Sequence, residues 1–375
     1  MLATAENGVE RSKDAPYNGK TFLVTGANSG VGYGIVQRLL EQALEPNSED
    51  VVIVMACRSR PKAEAARQKL LEESQTVADA KVSQRRRSVK PEMLQILIVD
   101  LASMQSVFAA CEEFQRRFSR LDALLLNAGI LPCSHINIRR GVKNLLTRPS
   151  YVAKTGGDFF SQYLGDVTAD GLGTVFAANV FGHYVMVKQL LSTLSRSPSS
   201  RVLWFSSTTA DPSFFNPADF QCLKGDHPYE SSKRLCELLA VQMHSELRDR
   251  GIYSYVVSPG NCFTGLLDQG WFISFAWLTV LYLMRLMYIS GCNVTPKNGA
   301  TSAVHLASEV RDPSDLKESI LYHSEISPLG HKSVRHLPLE VAADDLTGMK
   351  TVRKELDVMY QRFREEALRN GIIKS

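Results

Sequence analysis

The 375 residues are 44% hydrophobic and 22% charged, an ordinary globular composition with ample material for a core. Forty-three Lys and Arg against 39 Asp and Glu leave a net charge of +4, too mild to argue for a nucleic-acid partner. The seven cysteines (57, 111, 133, 222, 236, 262 and 292) are scattered and contain no Cys-x-x-Cys pair, which argues against a disulfide frame or a zinc centre and reads as reduced thiols facing the cytosol. Met1 to Gly19 are polar without an apolar core, so no signal peptide is expected, and residues 1–17 read as a disordered tail.

Thr21 to Thr25 form a short apolar strand pattern. Gly26-Ala-Asn-Ser-Gly30-Val-Gly32 follows at once, and then a helical stretch from Tyr33 to Gln42. Strand, glycine turn and helix are the context that a dinucleotide fingerprint needs. Gly26 permits the tight turn, Gly30 lets a pyrophosphate approach the N–H groups at the helix start, and Gly32 lets helix and strand pack closely. The spacing is G-x-x-x-G-x-G, and a purely structural glycine turn is the alternative.

The second strand, Val51 to Met55, leads into Ala56-Cys57-Arg58. A fold selective for NAD places a carboxylate there to hold the ribose 2′-hydroxyl. Arg58 stands in its place and favours the 2′-phosphate of NADP(H), against the plainer reading of a solvated loop cation. Pro61 to Ser74 has helix-forming composition with Pro in the first turn, and Arg85-Arg86-Arg87 lies in a loop that is either solvated or in contact with anionic lipid. Gln95 to Leu101 is a third strand. Asp100 near its end either meets the adenine edge or caps the next helix, Ser103 to Phe118. A fourth strand from Leu121 ends in the small-residue turn Asn127-Ala128-Gly129. Strands alternating with helices at this spacing predict an α/β fold with a doubly wound parallel sheet, whose ligands bind beyond the carboxyl ends of the strands.

Val202 to Ser207 is a fifth strand, and Glu230 to Gln242 reads as a helix carrying Tyr229 and Lys233 on one face. A phenol beside an ammonium suits proton transfer, because the cation favours the phenolate and lowers a pKa that is ordinarily near ~10. The same spacing occurs in Tyr184-Val-Met-Val-Lys188, and either pair alone reads equally as a half-buried Tyr and a solvated Lys.

The ordered set Thr25-Gly26-x3-Gly30-x-Gly32, Asp100, Asn127-Ala128-Gly129, Asn179, Ser206-Ser207, Tyr229-x3-Lys233 and Pro259-Gly260-x3-Thr264 resembles the short-chain dehydrogenase/reductase family over most of residues 20 to 265. Tyr184 falls outside that order. The resemblance implies a Rossmann-type fold, NADP(H) as cofactor, and catalysis by Ser207, Tyr229, Lys233 and Asn179, with Ser206 the second choice for the serine. Ser207 would polarise a substrate carbonyl and Tyr229 would protonate it. Lys233 would lower the phenol pKa and bind the nicotinamide ribose, and Asn179 would kink its helix and help hold a relay water. The cofactor would touch Thr25, Gly26, Asn28, Ser29, Gly30, Val31, Gly32, Arg58, Asp100, Leu101, Asn127, Ala128, Gly129, Tyr229, Lys233, Pro259, Gly260 and Thr264.

Shorter stretches narrow the resemblance. Asn127-Ala-Gly-Ile-Leu-Pro132, Thr168-Ala-Asp-Gly-Leu172, Asn179-Val-Phe-Gly-His183, Asp219-Phe-Gln221 and the long insert between Leu131 and Val167 are similar to the 3-keto-steroid reductases of sterol biosynthesis. These imply reduction of a sterol C3 ketone by NADPH at the endoplasmic reticulum membrane, with the catalytic domain facing the cytosol. The other readings are reduction of another lipid ketone or aldehyde and a cofactor-binding scaffold for other sterol enzymes.

Trp271 to Ile289 is the most apolar run in the chain, near the ~20 residues that span a bilayer, but Arg285 interrupts it. A helix lying in the membrane interface is the preferred reading over a transmembrane helix or a buried lid. The insert, with Arg139, Arg140, Lys143 and Arg148, offers a second membrane contact or a solvated loop. The expected organisation is one domain over residues 18–330, with insert 131–167 and apolar segment 271–289, followed by a helical tail over 331–375. The tail's stripe of Leu346, Met349, Val352, Leu356, Met359 and Phe363 packs either on the domain or on a second subunit.

Overall fold

Eight strands form one sheet in the order β3-β2-β1-β4-β7-β8-β11-β12. In chain order they are β1 (Lys20–Thr25), β2 (Val51–Cys57), β3 (Leu94–Ile98), β4 (Ala123–Leu126), β7 (Ser200–Phe205), β8 (Ile252–Ser258), β11 (Ile320–Ile326) and β12 (Lys332–Pro338). All neighbours are parallel except β12, which runs antiparallel to β11. The chain steps outward from β1 to β3 and returns to β4 on the other side, so the strand order reverses between β1 and β4 and opens a crevice there. This computed structural model describes residues 16–80, 87–136, 138–148, 160–262, 292–327 and 329–374. Thr264, the apolar run 271–289, the triple-arginine positions 85 and 86, and residues 1–15 of the N-terminal tail lie outside the described residues.

The strands read as near-continuous apolar runs because both sheet faces are covered. Val52, Val54, Leu124, Leu126, Val202 and Trp204 point into one core, and Ile53, Met55, Leu125, Leu203 and Phe205 into the other. Helices α1 (Gly30–Ala43) and α2 (Arg60–Ala80) cover the second core together with the short helices Pro296–Gly299 and Thr301–Val304. The first core is covered by α3 (Met104–Arg117), α5, α6 (Pro228–Arg248) and α7 (Ala343–Arg369). Helix α5 is built from Thr174–Phe176, a π-helical stretch Ala177–Phe181, and Gly182–Gln189.

The insert folds as an antiparallel hairpin, β5 (Cys133–Ile136) against β6 (Phe160–Gln162), with α4 (Ile138–Thr147) between them. Downstream of it, the Asp170 carboxylate accepts a hydrogen bond from the Met104 N–H at 2.7 Å, so the Thr168–Leu172 turn caps α3 from outside the helix. A two-stranded parallel pair, β9 (Asn261–Cys262) and β10 (Cys292–Val294), lies beyond β8.

The carboxy-terminal region departs from the expected helical tail. Residues 332–338 extend the main sheet as β12, so the boundary expected at 330 falls inside the turn that joins its last two strands. The edge strand is polar and largely exposed, and it carries no apolar alternation by which to recognise it. Helix α7 packs on the domain itself, burying Met349, Val352, Leu356, Tyr360 and Phe363, while Leu346 stays exposed.

The second Tyr-x-x-x-Lys pair belongs to this contact. The Tyr184 hydroxyl donates to Asp357 at 2.6 Å, and Lys188 pairs with the same carboxylate at 3.1 Å. Arg353 stacks over the Tyr184 ring at 5.2 Å and approaches Asp357 at 3.3 Å. Burial works against the Asp357 charge, yet the hydrogen bonds from Tyr184 and Lys188 and the Arg353 charge hold its carboxyl below the ordinary range. Asp357→Ala leaves the buried Tyr184 hydroxyl without its acceptor, an expected loss of about 1–2 kcal/mol at pH 7 after discounting for the solvent that reaches the carboxylate. A carboxyl with a depressed folded pKa stabilises above its unfolded value near ~4 and loses that contribution as pH falls through the folded one. Urea unfolding of both proteins at pH 7 and pH 3 checks this, because the gap should narrow at the lower pH.

Candidate active site

The glycine turn is held open by sterics. Gly26 has φ +67° and Gly30 φ +54°, both in the left-handed region. A Cβ on Gly32 would lie 2.2 Å from the Gly26 carbonyl oxygen and 2.7 Å from Asn127 Nδ2. Ser29 takes the N-cap position of α1 without a capping hydrogen bond from its side chain, and the first turn holds no acidic residue. Exposed Ser29, half-buried Asn28 and Gly30, and buried Val31 therefore border a helix N-terminus suited to an anion. Arg58 follows the carboxyl end of β2, is exposed, and pairs with nothing among the described residues. Asp100 does not cap α3. Its Oδ1 accepts from the Ala102 N–H at 3.0 Å, while the Ser103 side chain is the cap. The adjacent Leu101 is buried, and its carbonyl lies so close to Gly182 that a Cβ there would approach to 2.4 Å.

The turn after β4 is locked to the turn after β1. Asn127 Nδ2 donates to the Thr25 carbonyl at 2.8 Å, and the Ala128 N–H donates to Thr25 Oγ1 at 2.9 Å. Thr25 Oγ1 also meets His183 Nε2 at 3.0 Å, and His183 Nδ1 meets the Asn179 carbonyl at 3.1 Å. A carbonyl only accepts, so Nδ1 carries the proton and Nε2 accepts from Thr25. Burial pushes the His183 pKa down to about 3, which fixes the ring as neutral. His183 is thus a site residue to which its sequence position alone assigned no role.

Asn179 sits in the π-helical stretch of α5. Its Oδ1 accepts from the Ile130 N–H at 2.7 Å, and its Nδ2 donates to Ser232 Oγ at 3.0 Å. A Cβ on Gly129 would fall 3.3 Å from Asn179 Oδ1 and 3.4 Å from Lys233 Nζ, so Gly129 leaves room for both. Lys233 is buried and donates to the Phe205 carbonyl at 2.9 Å, and burial lowers its pKa.

Ser207 follows the end of β7, where its Oγ meets Thr209 Oγ1 at 3.0 Å, and it pulls down the pKa of the Tyr229 phenol in the first turn of α6. Ser206 faces the other way, buried, donating to Glu237 at 2.5 Å. Burial pushes the Glu237 carboxyl up to about 7 against the pull of Ser206 and Arg234. Of the two serines, Ser207 is the one that meets the phenol.

The lowering of the Tyr229 pKa expected from Lys233 is not what the geometry delivers. Burial raises the phenol, the Glu230 carboxylate raises it further, and the Ser207 hydrogen bond pulls it down. Lys233 Nζ lies 5.6 Å from the Tyr229 ring centroid, with a proton directed at Phe205. Pro259 and Gly260 follow β8 at the same end of the sheet, where Gly260 has φ +66° and Asn293 Nδ2 donates to the Pro259 carbonyl at 2.6 Å. Gln162 of the insert also reaches the site, accepting from the Tyr229 N–H at 3.0 Å.

A parallel sheet in this order, with Ser207, Tyr229, Lys233 and Asn179 gathered beyond its carboxyl ends, defines an oxidoreductase scaffold of the short-chain dehydrogenase/reductase class. Solved structures share the fold. They include a 3-ketoacyl-(acyl-carrier-protein) reductase from Brucella melitensis complexed with NADH (TM-score 0.52, 18% identity, covering 80% of this chain and 95% of that one). A short-chain dehydrogenase/reductase of unknown function from Caenorhabditis elegans with cofactor also matches (TM-score 0.53, 17% identity, covering 78% and 91%). No protein-family model matches the chain.

Among curated relatives, 3-keto-steroid reductase/17-beta-hydroxysteroid dehydrogenase 7 of Homo sapiens is 33% identical over 344 residues, which is 90% of this chain and 93% of the relative. The 3-keto-steroid reductase of Schizosaccharomyces pombe is 31% identical over 86% of this chain and 91% of its own length. That of Saccharomyces cerevisiae is 29% identical over 89% and 92%. The chain belongs to the 3-keto-steroid reductase branch of the short-chain dehydrogenase/reductase family.

Proposed function

We propose that the protein reduces the C3 ketone of a sterol biosynthesis intermediate to the 3-hydroxy sterol, with NADPH as reductant. The observation that carries the chemistry is the grouping of Tyr229, with Lys233 Nζ 5.6 Å from its ring centroid, and buried Lys233 and Asn179 beside Gly129 at the carboxyl edge of the sheet that Ser207 also borders. The cradle fits the cofactor. A glycine turn with no room for a Cβ at Gly32, an α1 N-terminus without an acidic residue, and exposed Arg58 suit a pyrophosphate and a 2′-phosphate. Bound NADPH supplies the hydride that adds to the carbonyl carbon. Ser207 donates a hydrogen bond to the carbonyl oxygen and stabilises the developing alkoxide, and Tyr229 delivers the proton that completes the hydroxyl. Its raised pKa keeps that proton in place at neutral pH. Lys233 and Asn179 hold the proton path behind the phenol, and Thr264 serves the carboxamide.

The same reading places the protein at the endoplasmic reticulum membrane, facing the cytosol. Exposed Arg139, Arg140, Lys143 and Arg148 accompany exposed Leu146 along and just after α4, and Tyr163, Leu164 and Val167 are exposed nearby in the sequence. Basic and apolar groups on one insert suit an anionic lipid surface. Among the described residues no helix is long and apolar enough to cross a membrane.

The test is incubation of detergent-solubilised protein with NADPH and a 4-demethylated 3-keto sterol, followed by product analysis. Conversion to the 3-hydroxy sterol, faster with NADPH than with NADH, is expected. Tight NADPH binding without turnover of that sterol would overturn the substrate assignment and redirect the search to other lipid ketones.

A further inference from the structure

Helix α6 begins with an unusual cap. Pro228 is its first residue, and the preceding His227 makes no side-chain cap. Pro228 has no N–H, and the Ser231 N–H bonds back to the His227 carbonyl at 3.0 Å. The Tyr229 N–H therefore points out of the helix and needs an acceptor from elsewhere. Gln162 on β6 provides it, with Oε1 3.0 Å from that N–H. Its Nε2 donates to Glu230 Oε2 at 2.7 Å. The amide orientation is internally fixed, because the backbone N–H only donates and the carboxylate accepts. One side chain thus holds two consecutive residues of the catalytic helix, and the first of them is the proton donor.

We propose that Gln162 is a positioning residue for Tyr229, and that the inserted hairpin serves catalysis by clamping the start of α6 through the Tyr229 amide and the Glu230 carboxylate. The hairpin leaves the main chain directly after the Asn127–Gly129 turn and returns ahead of α5, so it is anchored on the same edge of the sheet as the reacting groups. The clamp acts on the backbone at Tyr229 and not on the phenol, so it sets where the hydroxyl sits relative to Ser207. Displacement of a reacting group by about 1 Å costs up to ~10²-fold in rate. The inference rests on the reductase reading for its rate measurement, but the contact itself is measurable without substrate.

Two measurements test it. Hydrogen exchange of the peptide containing the Tyr229 amide is expected to quicken in Gln162→Ala, with exchange in the central strands unchanged. In sterol reduction, Gln162→Ala is expected to lower kcat roughly tenfold, with the KM for NADPH unchanged. Gln162→Glu keeps an acceptor for Tyr229 but sets a carboxylate against Glu230, and it should lose at least as much. Combining it with Glu230→Gln exchanges donor and acceptor and should restore kcat to within about threefold of the parent. Thermal melting and NADPH titration of each variant separate loss of fold from loss of position. Unchanged exchange at Tyr229 overturns the clamp. Altered exchange with parental kcat, or a double variant no better than Gln162→Glu alone, overturns the positioning role. Failure of the parent protein to reduce the sterol ketone overturns the functional reading alone and leaves the exchange result to judge the contact.

Discussion

Tyr229→Phe is expected to lower kcat for ketone reduction by about 10³-fold, the middle of the range for a positioned proton donor, while NADPH affinity stays within about threefold of the parent. The substitution removes only the hydroxyl. The ring keeps its place on α6, Lys233 keeps its bond to the Phe205 carbonyl, and Ser207 retains Thr209 as a partner at 3.0 Å. The lost rate therefore reports the proton and not the fold. Because burial and the Glu230 carboxylate both raise the phenol, the free enzyme holds its proton beyond the ordinary value near ~10. The kcat/KM profile for reduction should accordingly show no loss from phenol ionisation between pH 7 and pH 9. A variant that retained a tenth of parental kcat would remove Tyr229 from the chemistry. If Tyr229→Phe fully supported sterol synthesis in cells, the scaffold reading would gain what the enzyme reading lost.

Gly32→Ala is expected to abolish measurable NADPH binding and to destabilise the fold by about 3 kcal/mol, the upper end of the cost of overpacking. The new methyl would meet Gly26 backbone atoms at 2.2 and 2.8 Å, and backbone in the centre of a β1–turn–α1 unit has little freedom to retreat. Gly171→Ala is the natural control. It carries the backbone strain of φ +74° but meets nothing within 4 Å. Thermal melting with NADPH fluorescence titration distinguishes the two, since only Gly32→Ala should lose the cofactor. NADPH affinity within threefold of the parent in Gly32→Ala would show that this turn does not hold the pyrophosphate.

Much of the sheet was legible because strands buried on both faces read as uninterrupted apolar runs, as in Val51–Cys57 and the Val202–Phe205 part of β7. The glycine turn was legible because few residues tolerate its geometry. Strand β11 was not, since Ser324 is fully buried yet polar, satisfied by Ser302 at 2.9 Å and by the Gly299 carbonyl at 2.7 Å. A sequence pattern shows the polar residue and not the partner that makes it tolerable. Tyr184 and Tyr229 carry the same motif and were separable only by family order. In space they are unmistakable, one facing Asp357 and the other Ser207. Shared helix spacing places Tyr229 and Lys233 on one face without fixing where the ammonium aims its proton, which here goes to the Phe205 carbonyl. Gln162 lies 67 residues before Tyr229 and belongs to no motif, so nothing local announces it.

The packing of α7 has a consequence in time. Arg234, buried on the catalytic helix, is held by Glu237 at 2.9 Å and by Asp345 at 3.0 Å, and its guanidinium also bonds the Glu340 carbonyl. Asp345 is translated 111 residues after Arg234, a delay on the order of ten seconds at ~5–20 residues per second. Through that interval the nascent chain carries a completed dinucleotide half and a catalytic helix whose buried guanidinium lacks its carboxy-terminal partners. The apolar face that Met349, Val352 and Leu356 later cover is open to water for the same period. Newly made chains should therefore bind NADPH-type ligands before they resist protease at α6, and chaperone dependence should concentrate in the last stretch of synthesis.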